Sequence, residues 1–451
     1  MLIKSRRNFL KTALGVAGGA AAFGKFGEMA ALAATPTNPN AGYQALVCIY
    51  LAGGNDGHNT VFPIANNSNG NTYNLYHGAR QGLAMPSSGV PVINNGNDVY
   101  GLHPKLTEIG ALYNSGAAAV VANVGNLVQP ITRQQYLSPG AAVPSQLFSH
   151  SDQSSQWQTA IPNGSASTGW GGRVEDLLNG NLNANANFSP ITSTSGCGLF
   201  CTGQNTFAST VPVGGASLLI GATGNRLNAV QQLMTFDNGL TLATAANAVY
   251  FRGVGFSKAL NQAIAGAHVN TVFPGTLIGQ QLLTVAKIIS IRAALGITRQ
   301  VFFAQLGGFD FHTNELSDQD TLLGQLSQAV NAFYTATQEL LVDKAVTTFT
   351  ASEFGRTLQP NGSGGTDHAW GSHHFVVGGS VMGGKMYGTY PQLVLGGPDD
   401  ANSRGTLIPT TSTSQYSATM ANWFGIDPQD FPTVFPGLQQ HFQTTNLGFL
   451  G

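Results

Sequence analysis

Charge is scarce in this chain, with Asp, Glu, Lys and Arg making up 9% of its 451 residues. A surface so poor in ionic groups must be built largely from neutral polar ones, and Gly, Asn, Ser and Thr are abundant. Without a basic face to neutralise phosphates, the chain is not expected to bind nucleic acid. Cysteine is also rare. Three residues, Cys48, Cys197 and Cys201, are too few for a disulfide-built scaffold. Cys197 and Cys201 are close enough in sequence to pair in an oxidising compartment, and the sequence leaves open whether they do. Cys48 lies in an apolar run and reads as a small buried hydrophobe. Long hydrophobic runs are missing as well. No stretch offers the roughly 20 uninterrupted apolar residues of a membrane-spanning helix. No heptad pattern or amphipathic surface helix names a partner, and the oligomeric state is not legible.

What is present begins at the N-terminus. Ser5-Arg6-Arg7-Asn8-Phe9-Leu10-Lys11 sets a basic pair among serine, aromatic, leucine and lysine, the setting of a twin-arginine export signal. A weakly apolar stretch follows, diluted by Gly15, Gly18 and Gly19. Ala31-Leu32-Ala33 then supplies the small-x-small pattern that signal peptidases cut. Residues 1–33 are therefore expected to be a signal peptide and residues 34–44 a linker. The implied partner during export is the twin-arginine translocase, and the implied location is the periplasm or the exterior. Cleavage after Ala33 removes Lys4, Arg6, Arg7, Lys11, Lys25 and Glu28, so 19 basic and 20 acidic residues become 14 and 19. The mature chain is mildly acidic and long enough to bury a large core.

The remaining pattern alternates strands and helices. Residues 45–51 form a short apolar run ending at Gly53-Gly54, as expected of a strand buried on both faces. Residues 106–114 read as a helix and 117–124 as the next buried strand. Residues 160–275 are irregular and rich in Asn and Gly, suggesting an insertion or cap. The rhythm returns with a helix at 277–295, a strand at 300–306 and a helix at about 319–342. Strands at 347–351 and around 375–377 complete it. This is the order of an α/β fold with a doubly wound, mostly parallel sheet. Ligands of such sheets gather beyond the carboxyl ends of the strands.

The chemically useful residues fall there. Gly53-Gly54-Asn55-Asp56-Gly57-His58 follows the first strand, and Gly307-Gly308-Phe309-Asp310-Phe311-His312 follows a late one. Ser352-Glu353-Phe354-Gly355-Arg356 and Gly365-Thr366-Asp367-His368 supply two further clusters, with His373 and His374 close behind. Carboxylate and imidazole together suit a hard or borderline divalent cation. His373 and His374 sit on a predicted strand and so face opposite ways. Arg356 could anchor an anion or bridge to Glu353. His58 and His103 read as satisfied histidines more readily than as ligands.

These motifs resemble an exported family catalogued as domain of unknown function 1501, related to the alkaline phosphatase and sulfatase superfamily. The resemblance rests on Leu51-Ala52-Gly53-Gly54-Asn55-Asp56-Gly57, Ser149-His150-Ser151-Asp152-Gln153 and Thr168-Gly169-Trp170-Gly171-Gly172-Arg173. It continues through the Asp310, Glu353 and Asp367 motifs to Gly383-Gly384-Lys385-Met386-Tyr387-Gly388 and Trp423-Phe424-Gly425. It implies an alkaline-phosphatase-like domain over 45–451. It also implies Asp56, Asp310, His312, Asp367 and His368 as metal ligands, with Glu353 and His373 in reserve. Ser149 would be the nucleophile, with His150 and Arg356 beside it. The cofactor implied is one or two divalent ions (zinc, manganese, calcium or magnesium), and the substrate a small phosphate or sulfate ester. The chain departs from the superfamily in having one residue between Asp310 and His312, where three are common. It also lacks the Cys/Ser-x-Pro-x-Arg motif of sulfatases. Two rival expectations stand beside the hydrolase: a binding or assembly protein on the same fold, and a glycan-associated structural protein of the cell surface.

Overall fold

The computed structural model describes residues 42–451, apart from 165, 184–187, 197, 216–223, 237–238 and 240. The expected signal peptide, most of the linker and Cys197 lie outside the described residues. Nine strands form one sheet: β1 (Gln44–Ala52), β2 (Ala118–Gly125), β3 (Ile191–Ser193), β4 (Ser209–Thr210), β5 (Arg299–Gly307), β6 (Val346–Ala351), β7 (Ser372–Val377), β8 (Met386–Tyr387) and β9 (Thr411–Ser412). The order is β8-β2-β7-β6-β1-β5-β3-β4, with β9 beside β2. β7 runs antiparallel to both its neighbours, β2 and β6. All other pairings are parallel. The α/β class read from the sequence is therefore the observed one.

Side chains of β1 alternate between two cores. Ala45, Val47, Ile49 and Leu51 enter one, and Leu46, Cys48 and Tyr50 the other. A strand covered on both faces gains from apolar residues at every position, which is why the sequence reads as an unbroken run. On the first face lie helices α1 (Thr107–Asn114), α6 (Leu277–Ser290) and α7 (Glu315–Glu339), contributing Ile109, Leu282, Val285, Leu326 and Phe333. On the second lie α2 (His150–Thr159), α3 (Trp170–Leu182) and α8 (Thr413–Phe424), with Trp157, Trp170, Tyr416 and Phe424. Trp157 and Trp170 meet edge to face, 6.4 Å between centroids, over Phe200 and Phe349. Among the described residues, no helix is long and apolar enough to cross a membrane.

The irregular stretch is partly built into this frame. α3 packs on β5, and β3 and β4 extend the sheet beyond it. The helices α4 (Asn225–Thr235) and α5 (Thr241–Ala265) pack mainly on each other. Three further strands, Val61–Pro63, Val92–Asn95 and Asp98–Leu102, form a small antiparallel sheet.

Candidate metal centre

The parallel register of β1, β5 and β6 fixes where their following loops lie. Ala52 pairs with Gly307 and Tyr50 with Ala351, so residues 53, 310 and 353 leave the sheet at one edge. Gly53 has φ +121, and a Cβ there would lie 2.4 Å from the Asp310 nitrogen. Only glycine admits both the backbone conformation and the close approach. The loop after β1 thus packs directly on the loop after β5.

Arg356 ties these loops together. Its guanidinium is fully buried and donates to the carbonyls of Gly54, Thr366, Phe309 and Gly53 and to Asp310 Oδ1. Residues 355–357 and 367–370 pair as a short ladder, with Gly355 N–H donating to the Trp370 carbonyl and Thr357 N–H to that of Asp367. That ladder delivers His368 to the same edge.

Three imidazoles converge on Asp310. The Nε2 atoms of His312, His368 and His150 lie 3.1, 3.3 and 3.5 Å from Asp310 Oδ1. His150, Asp310 and His368 each present a ligand atom within 4.8 Å of the others. His312 Nε2 stands 3.1 Å from His368 Nε2. The group is half open to solvent: 48% of the Asp310 side chain is exposed, 45% of His312, 38% of His150 and 24% of His368.

The surrounding groups set which nitrogen faces inward. His368 Nδ1 lies 2.8 Å from the Phe148 carbonyl, which can only accept, so Nδ1 carries the proton and Nε2 a lone pair. His150 Nδ1 lies 3.0 Å from Glu353 Oε1, leaving Nε2 toward Asp310. Glu353 is buried and also accepts from Gly53 N–H at 2.8 Å. Asp367 Oδ1 is 3.6 Å from His312 Nδ1, and its Oδ2 accepts from Arg404 Nη1 at 2.7 Å. A carboxylate or carbonyl behind an imidazole is the support that metal-binding histidines receive.

The electrostatics follow from these contacts. Hydrogen bonding to Glu353 raises the His150 pKa, against an opposing effect of burial. Burial lowers that of His368, which favours the neutral ring. Burial alone would raise Asp310, but the hydrogen bond and charge of Arg356 outweigh it and the net shift is downward. Asp367 behaves likewise, with Arg404 overcoming the effect of burial. Both carboxylates are thereby kept ionised.

The chain before His150 is bent to serve this group. Gln146 and Phe148 adopt positive φ values of 51 and 71, a conformation costly for bulky side chains. The bend turns the Phe148 carbonyl to His368 and starts α2 at His150. Ser149 caps that helix, its hydroxyl accepting from Asp152 N–H and donating to Asp152 Oδ2 at 2.6 Å. This is the capping role of a serine just before a helix.

Two expected ligands do not join the cluster. Asp56 is fully buried; its Oδ1 accepts from His58 N–H and its Oδ2 from Arg80. Arg80 also donates to Glu315 at 2.8 Å, to Asn59 and to the Thr357 and Leu358 carbonyls. The Asp56 carboxylate is thus engaged in an ion pair inside the protein. His373 is buried, accepts from Asn123 N–H at 3.0 Å and stacks on Tyr390, while His374 stacks on Tyr416. The two face opposite sides, as neighbouring strand residues must. His58 and His103 are buried, which lowers their pKa values to about 3 and about 4.

Arg404, Arg80 and Glu315 were not singled out from sequence. Arg80 and Glu315 stand in segments without motif character. Arg404 lies in Asp399-Asp400-Ala401-Asn402-Ser403-Arg404-Gly405, which reads as an ordinary polar turn. In a chain with so few cations, each arginine after residue 33 was itself the available clue.

Fold and cluster together describe an α/β protein with a histidine- and aspartate-rich site at a strand-end edge. The model of the family described as "Protein of unknown function (DUF1501)" matches residues 280–447. That span holds the motifs of Asp310, Glu353, Asp367 and Trp423. No curated protein matches the chain. Among solved structures, the lipoteichoic acid synthase LtaP from Listeria monocytogenes is similar at 8% identity, over 89% of this chain and 78% of that one, with a TM-score of 0.33. The PsFucS1 sulfatase from Pseudoalteromonas sp. is similar at 9% identity, over 87% and 70%, with a TM-score of 0.35. The phosphonate monoester hydrolase of Agrobacterium radiobacter is similar at 9% identity, over 88% and 78%, with a TM-score of 0.30.

Proposed function

We propose that this protein is an exported, metal-dependent hydrolase of phosphate or sulfate esters, holding one divalent cation at His150, Asp310 and His368. The observation that carries the reading is the convergence of these three ligand atoms within 4.8 Å, with Phe148 and Glu353 setting the imidazole tautomers. The donor set fits the cation: two imidazoles and one carboxylate suit zinc or manganese, whereas calcium and magnesium call for oxygen ligands. Three protein ligands in a half-exposed setting leave room for a substrate atom, the arrangement of catalytic sites. A bound cation would supply Lewis acidity toward an ester oxygen. The chain's own contribution is to hold Asp310 ionised through Arg356 and to keep the Nε2 lone pair of His368 facing inward. His312 stands at the edge of this set as a fourth donor. Residues 45–451 act as one domain in this reading, and residues 1–33 direct export.

A second reading has an observation in its favour. The Ser149 hydroxyl is engaged by Asp152, and Asp56 and His373 are buried in other contacts. A cation-binding protein without ester turnover, used for binding or assembly, would look the same. Elemental analysis of the mature protein, purified without chelator or added metal, tests both readings. One equivalent of zinc or manganese, lost in Asp310→Ala and His368→Ala, is expected. Turnover in a screen of phosphate and sulfate esters then separates hydrolase from binding protein. A wild-type protein that is folded and free of metal sinks both.

A further inference from the structure

We propose that Arg404 is the specificity-determining residue of this site, binding a negatively charged oxygen of a tetrahedral oxyanion such as a phosphate or sulfate monoester. The inference rests on the metal reading above and adds to it the charge the substrate must carry.

The argument begins with the loop that presents Arg404. Asp400 is fully buried, and its carboxylate accepts the backbone N–H groups of Gly396, Gly405, Thr406 and Asn402 at 2.8, 2.9, 3.1 and 3.2 Å. Arg133 Nε donates to the Asp400 carbonyl at 2.7 Å. Ser403 holds a φ of 65, a left-handed conformation that non-glycine residues seldom adopt. Arg404 itself is fixed at both backbone groups, its N–H donating to Asn402 Oδ1 and its carbonyl accepting from Gln359 N–H. A surface arginine that only improved solubility would need none of this. The side chain is placed as firmly. Nη1 meets Asp367 Oδ2 at 2.7 Å, and the other Asp367 oxygen lies 3.6 Å from His312. The Arg404 side chain is 42% exposed. Among the described residues, its Nε and Nη2 donate to nothing.

Charge decides what those free donors take. Asp310 pairs with Arg356, Asp367 with Arg404, and Glu353 stands behind His150, so the cluster carries one net negative charge when the imidazoles are counted as neutral. A divalent cation turns that to one net positive charge. Without Arg404 the loaded site would be neutral and would offer an anion the cation alone, with no guanidinium donors. A guanidinium with unused donors, joined to the cluster through Asp367 and His312, is suited to an oxyanion, since Arg forms charge-assisted, paired hydrogen bonds to such groups.

The test uses the full mature protein loaded with cobalt(II), whose visible spectrum reports ligands at the metal without any need for turnover. Inorganic phosphate, inorganic sulfate and the neutral ligand imidazole are titrated separately. Phosphate or sulfate should perturb the wild-type spectrum, and which of the two does so at lower concentration identifies the preferred oxyanion. Arg404→Ala should weaken that response about 10-fold or more, with cobalt content and imidazole affinity unchanged. Arg404→Ala/Asp367→Asn removes the pair without leaving an unbalanced carboxylate and should show the same oxyanion loss. Oxyanion affinity within twofold of wild type in Arg404→Ala overturns the proposal. So does a parallel fall in imidazole affinity, which would mean that Arg404 acts by shaping the cluster. A cobalt-loaded wild type indifferent to both oxyanions overturns it while the metal reading stands. Failure to take up cobalt overturns both.

Discussion

Replacing Glu353 by Gln removes one charge from behind His150 while keeping the volume of the side chain. Glu353 is 4% exposed, so water does not compete for its hydrogen bond from His150 Nδ1 at 3.0 Å. The carboxylate both orients the ring and makes Nε2 a better donor to a cation. A neutral amide retains part of the orientation and little of the electronic effect. Loss of such a supporting group typically costs 10- to 100-fold in metal affinity, about 1.4 to 2.7 kcal/mol. Zinc affinity measured by competition with a chromophoric chelator should fall by that factor in Glu353→Gln. The thermal midpoint of the metal-free protein serves as the control for folding. Unchanged affinity in a folded variant would refute the assignment of Glu353 as the support of His150. A loss beyond about 1000-fold would also refute it, because Glu353 would then be a ligand itself.

The buried Asp56–Arg80–Glu315 group holds two carboxylates against one guanidinium. Burial and the neighbouring Asp56 charge push Glu315 up to about 8, against the lowering effect of Arg80. A carboxyl whose pKa is raised on folding adds stability below its unfolded value, near 4.3, and loses it as pH rises through the folded one. Urea unfolding should therefore show stability declining between about pH 5 and 8, and Glu315→Gln should flatten that decline; parallel slopes would contradict it. Asp56→Ala leaves the Arg80 charge balanced by Glu315 but removes buried hydrogen-bond acceptors, and should cost about 1–3 kcal/mol in unfolding free energy. If it instead removes bound metal without loss of stability, Asp56 belongs to the site. Glu175 is fully buried, neither of its oxygens has a partner among the described residues, and burial raises its pKa well above the usual carboxylate range. Glu175→Met should raise stability by about 1–3 kcal/mol at neutral pH in a denaturant titration, and a loss would reveal an unseen partner.

The sequence made the sheet legible because strands buried on both faces write themselves as apolar runs. Residues 45–51, 300–306 and 347–351 needed only slight extension to become β1, β5 and β6. The antiparallel course of β7 was not legible, since direction leaves no mark on an apolar pattern. At the site, Asp310, His312, His368 and Glu353 were found because glycine-rich turns after strands announce them, and His150 came from the motif around Ser149. Asp56 shares the same turn chemistry, yet its carboxylate points to Arg80. That difference is set by a cation 24 residues away in sequence, which no local pattern encodes. Arg404 was invisible for the same reason, because its meaning comes from Asp367 across the fold.

Arg356 carries a consequence for how the protein comes apart. Its donors reach carbonyls at residues 53, 54, 309 and 366, in segments separated by up to some three hundred residues of chain. If one of these segments lifts away, a sealed guanidinium is stranded with broken bonds, so the others lose their anchor as well. Opening is therefore collective, and amide hydrogens in all the tethered turns should exchange with a common protection. The proposed cation site would then form only once distant parts of the polypeptide have met, as a late product of folding that cannot exist in a half-assembled chain.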